Sequence, residues 1–171
     1  KVITMRKFAL IAAIALAAVL TLSACGKHGD DQQDGQQQAQ QAPKPTDPND
    51  SKGWNAYLGQ IVQKNMQGMS ANQPYAYMVT AGTTDEAKAQ NDRQLQSVQD
   101  TVARGVLPGN LLAFGGPDSA KTADLVVAAF KDAKPGSFKD VIVLFIGDKA
   151  DEQRVSDVLK PTGATIRFVV M

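Results

Sequence analysis

The run Val141-Ile142-Val143-Leu144-Phe145-Ile146 is wholly apolar and rich in β-branched side chains. Its length and composition predict a strand. Neither of its faces carries a polar side chain, so both must be covered. Such a strand belongs in the middle of a parallel sheet with helices on either side. A one-sided antiparallel sheet has no place for it, because one face of every strand there meets water. This segment therefore fixes the fold class before the rest of the chain is read.

The neighbouring segments alternate in the way a parallel sheet needs. A helix is predicted from about Gly53 to Gly68, capped by Ser51, with Trp54, Leu58, Ile61, Val62, Met66 and Met69 at helical spacing. Tyr75 to Thr80 reads as a strand. Thr83 and Glu86 fit a capping box opening a long helix to about Arg104, with Gly105 as its stop. That helix has a thin apolar stripe of Ala87, Leu95, Val98 and Val102. Its Gln90, Asn91, Asp92, Arg93, Gln94 and Gln96 are expected to face water. Asn110 to Phe114 is a second strand, followed by a helix from Ser119 to about Asp132 with a wide apolar face. After Val141 to Ile146 come a helix from about Ala150 to Lys160 and a last strand from Ala164 to Val170, whose Arg167 marks it as an edge. The expected architecture is an α/β fold, a small three-layer sandwich of four mostly parallel strands with alternating helices and an extra N-terminal helix. The expected strand order is 2-1-3-4.

Three strand ends share one chemistry. Gly82 is followed by Thr83, Gly115 and Gly116 by Asp118 and Ser119, and Gly147 by Asp148. In a parallel sheet these turns lie together at the carboxyl edge, where α/β folds bind ligands. Helix N-termini there suit an anion, although Asp118 and Asp148 would repel a phosphate. Gly115-Gly116-Pro117 matches neither a dinucleotide-binding nor a P-loop pattern. The same residues are also what capped βα turns require. As chemistry, Asp118 and Asp148 form a candidate acid–base or hard-cation pair. Ser119 and Lys121 do not have the spacing of a nucleophile and its base.

Composition narrows the choices. Cys25 is the only cysteine and His28 the only histidine, and both precede the predicted folded segment. Ser–His and Cys–His catalysis, imidazole-held zinc and thiolate clusters are thereby removed from that segment. No cofactor is called for. Gly26 to Lys52 is rich in glutamine and proline and poor in apolar side chains, so it reads as a disordered tether.

The N-terminal stretch has a basic pair, Arg6-Lys7, and an apolar run from Phe8 to Leu20. Leu22-Ser23-Ala24-Cys25 follows, and this pattern resembles the lipobox signal of bacterial lipoproteins. The resemblance covers residues 5–26 and implies cleavage between Ala24 and Cys25. It further implies diacylglycerol on the Cys25 thiol and acylation, by palmitate or a similar chain, of the new amine. Gly26, in place of the aspartate that retains lipoproteins in the inner membrane, implies the periplasmic face of the outer membrane. The organisation expected is a signal peptide at 1–24, a lipidated cysteine and tether at 25–52, and a globular domain at 53–171.

Of 18 basic and 17 acidic side chains, Lys1, Arg6 and Lys7 precede Cys25 and no acid does, so the remainder has a net charge of −2. That offers no footprint for nucleic acid. Three functions remain open from sequence. The first is a non-catalytic module that contacts a protein of the cell envelope, as a complex component or a toxin inhibitor. The second is a small-ligand binder at the carboxyl edge, and the third an envelope hydrolase at that edge.

Overall fold

A computed structural model of the chain describes residues 42–171. The expectations for the signal segment, Cys25 and the tether up to residue 41 lie outside the described residues. The elements are α1 (Ser51–Lys64), β1 (Tyr75–Met78), α2 (Asp85–Arg104), β2 (Leu111–Gly115), α3 (Ser119–Phe130), β3 (Ile142–Gly147), α4 (Glu152–Leu159) and β4 (Thr165–Val170). Short 3₁₀ turns at Lys149–Asp151 and Lys160–Thr162 flank α4. The α/β fold is as the sequence implied.

All four strands are parallel, and their order is β1-β2-β3-β4. The expected order 2-1-3-4 is therefore wrong. The reason lies in the composition of β1. Tyr75 and Ala76 are exposed, and the strand has only four residues, whereas every residue of β2 and β3 is buried. A central position needs both faces covered, and only β2 and β3 have the side chains for it.

Consecutive order has a consequence for the layers. Crossovers of one hand between successive neighbours put every connecting helix on the same side of the sheet. Val98 and Val102 of α2, Ala123 and Val126 of α3, and Val155 and Leu159 of α4 accordingly share one core with Phe114, Val143 and Phe145. The rings of Phe114, Phe130 and Phe138 meet there edge-on or tilted. The opposite face is covered by α1 alone. Trp54, Leu58, Ile61 and Val62 pack there on Leu111, Ala113, Ile142, Leu144 and Ile146.

Local details differ from the expected caps. Asp50, not Ser51, caps α1, its carboxylate accepting the Gly53 N–H at 2.9 Å. Thr84, not Thr83, caps α2, accepting from Ala87 N at 3.1 Å. Moving the cap by one residue removes Glu86 from the third helical position, so no capping box forms. The packed unit also reaches back beyond Gly53. Ala42 N–H donates to Gln60 Oε1 at 2.7 Å, and the Trp54 indole donates to the Asp47 carbonyl at 3.0 Å.

Asn91, expected in water, is half-buried and clamps the end of β1. Its amide takes the Thr80 N–H at 2.9 Å and donates to the Thr80 carbonyl at 3.0 Å. Gln94 is half-buried too. At the other side of the sheet, Arg167 of β4 donates to the carbonyls of Asn65 and Gln67, which hold the end of α1. As the sequence implied, β4 is an edge strand.

Candidate functional site

The carboxyl edge brings the βα turns together, as a parallel sheet requires, but the polar atoms there bind one another. Asp118 caps α3 by accepting the Lys121 N–H at 3.1 Å, and its other oxygen lies 3.5 Å from the Lys121 ammonium. That ammonium also donates to the Ala81 carbonyl beside Gly82, tying α3 to the β1–α2 turn. Thr83 is exposed, and its hydroxyl donates to Asn49 Oδ1 at 2.8 Å.

Ser119 is buried, with 5 % of its surface exposed. Its hydroxyl accepts the Asp148 N–H at 2.7 Å and donates to Asp151 Oδ2 at 2.5 Å. With both roles filled and little of the residue exposed, this oxygen is a brace between α3 and the β3–α4 turn. The Asp148 side chain is exposed and supplies no cap bond. Asp118 and Asp148 thus stand in successive turns of the same edge, and only the Asp118 carboxylate caps a helix.

The glycines have packing reasons. A Cβ on Gly116 would sit 2.1 Å from the Val79 carbonyl oxygen, so the β2 turn passes β1 only without a side chain. A Cβ on Gly147 would come within 2.5 Å of both the Phe145 ring and Ser119 Oγ. Gly115 lies under Leu58 of α1. None of these approaches leaves an open phosphate cradle.

The sequence reading missed the strongest polar cluster of this edge. Arg154 donates from Nε to Asp151 Oδ1 at 2.9 Å, pairs with Asp124, and donates to the Ala120 carbonyl at 2.8 Å. Burial on its own would push the Asp151 carboxyl up. The Ser119 and Arg154 hydrogen bonds and the Arg154 charge together outweigh it and hold the group below the usual carboxylate range. The Asp124 hydrogen bond is the main reason that Arg154 holds its proton more tightly than usual. A carboxyl shifted downwards is the opposite of what a general acid needs. The spacing of Asp151 and Arg154, i to i+3 on one helical turn, was the available signal.

Concave features also occur beside α2 and α3, one of about 520 Å³ against Gln99, Val102, Ala129 and Lys134 and one of about 270 Å³ against Asn91, Leu95 and Lys121. Two others adjoin α1. One, of about 150 Å³, lies between the starts of α1 and α2 against Trp54, Met78 and Thr84. That is below the size of ordinary small-molecule sites. The other is an apolar groove of about 350 Å³ between α1 and β1, lined by Leu58, Val62, Met66, Met78 and Ile146. It exists because one helix has to cover four strands. Among the described residues no cluster of three or more His, Cys, Asp or Glu side chains is placed to hold a metal ion. No family model, characterised protein or solved structure matches this chain.

Proposed function

We propose that this chain is a lipid-anchored protein of the bacterial outer membrane, facing the periplasm, whose α/β domain acts by protein contact and not by catalysis. The anchoring rests on the likeness of Leu22 to Cys25 to a lipobox. The observation that carries the non-catalytic reading is the filled carboxyl edge. Ser119 is buried with both hydrogen-bonding roles taken, and Lys121, Asp118 and Asp151 are each engaged within the fold. Consecutive strand order also leaves no point at which the sheet reverses direction, the usual origin of a ligand crevice in open α/β folds. Triacylation suits such a role, because three chains, at about 0.8 kcal/mol per buried CH₂, make dissociation negligible.

The test is metabolic labelling with an alkyne fatty acid, followed by purification of the labelled protein from detergent-solubilised envelope. The wild-type chain should carry label, sediment with outer membrane and bring down one envelope protein in fixed stoichiometry. Cys25→Ala should lose the label and the membrane association. An unlabelled wild-type chain would remove the anchor from the proposal. Turnover of a small molecule that is abolished by Ser119→Ala or Asp118→Asn would replace protein contact with catalysis.

A further inference from the structure

The two edges of the sheet are protected very differently. The β1 edge is four residues long, and the chain just beyond it is closed off, because the Thr80 N–H is taken by Asn91. The β4 edge is six residues long, with no proline, lysine or glycine. Its one charged residue, Arg167, spends its guanidinium on the Asn65 and Gln67 carbonyls and so does not guard the edge. Lys149, which lies 5.8 Å over the Phe168 ring, is paired with Glu152. Long apolar edges without such devices recruit another strand.

The hydrogen-bond parity of β4 says which groups are on offer. Thr165 N–H donates to the Val141 carbonyl at 2.8 Å and Met171 N–H to the Gly147 carbonyl at 3.3 Å. The odd-numbered residues therefore turn their N–H and C=O groups towards β3. Ile166, Phe168 and Val170 turn theirs outwards. We infer that this edge pairs with the same edge of a second copy of the chain, antiparallel, with Phe168 on the two-fold axis.

In that register Phe168 faces the partner's Phe168, and Ile166 faces the partner's Val170, each pair exchanging both of its N–H···O bonds. Arg167 then lies opposite an uncharged Val169, so no like charges meet across the seam. A register centred on Arg167 would set two guanidinium groups opposite each other through residues whose backbone groups are already used by β3. The edge thus complements itself in hydrogen bonding, in apolar character and in charge at one register. The product is a closed two-fold dimer with a continuous sheet. Val170, 59 % exposed in the single chain, becomes covered.

The test is the protein mass of the full chain in mild detergent, measured by light scattering against concentration. Val170→Pro removes one outward N–H without touching the β3 ladder, a placement that edge strands tolerate. Val170→Lys keeps the N–H but sets a charge beside the partner's Ile166. The wild type should approach twice the chain mass as concentration rises, with slowed amide exchange at Ile166 and Phe168. Both variants should keep the wild-type circular dichroism and half the mass. If the proline variant does not fold, the lysine variant decides. A wild type that stays monomeric, or a dimer that survives in either folded variant, overturns the inference.

Discussion

Asp151 illustrates how a single residue joins three elements. It takes the Ser119 hydroxyl from α3 and the Arg154 guanidinium from α4, and it stands in the turn that follows β3. Its folded-state pKa is held below the ordinary 3.8. The stabilisation is therefore fully present above the unfolded value and is lost as pH falls through it towards the folded one. Thermal unfolding should show the wild type losing Tm below about pH 5. Asp151→Asn should start lower at neutral pH, by about 1–3 kcal/mol for hydrogen bonds left poorly matched in a buried place, and should depend less on acid. Equal acid slopes would mean that other carboxylates dominate. The sequence did not bring this residue forward, because one of its two partners, Ser119, lies 32 positions away. Only the i to i+3 pair was local.

At the scale of elements, the strands and helices were legible because each carried its own period. The buried runs of β2 and β3 and the stripes of α1 and α3 are unambiguous. Strand order was not legible, since it depends on comparing how fully β1 and β2 can be buried. Two exposed residues in a four-residue strand settle it. Nor did pattern reveal that Asn91 would leave the polar face of α2 to bind Thr80, because an amide suits water and a backbone equally well. Parallel strands put the βα turns at one edge, but how their polar groups satisfy one another is a matter of tertiary geometry. The end of α1 depends on Arg167, which reaches it from β4 across the sheet face. Arg167→Met keeps most of the side-chain volume and removes the donors. It should cost about 1–2 kcal/mol in denaturant unfolding, with faster amide exchange confined to residues 65–69. A loss spread evenly over the sheet would refute the local role.

For the whole molecule, the asymmetry of the two faces governs how far apart in sequence their contacts are. On one face α2, α3 and α4 each pack beside the strands they connect. On the other, α1 must wait for strands as distant as Leu144 and Ile146. Contacts that close long loops form late, because the chain entropy is lost before the contact rewards it. Trp54 is the only tryptophan, and it is buried wholly within that second cluster. In stopped-flow refolding, the ellipticity of the helices and strands should therefore return before the indole fluorescence does. A single shared rate for both signals would mean that α1 docks as the ladder of strands forms. The lone tryptophan thus makes this chain its own stopwatch for the last step of folding, the one at which the uncovered face of the sheet is sealed.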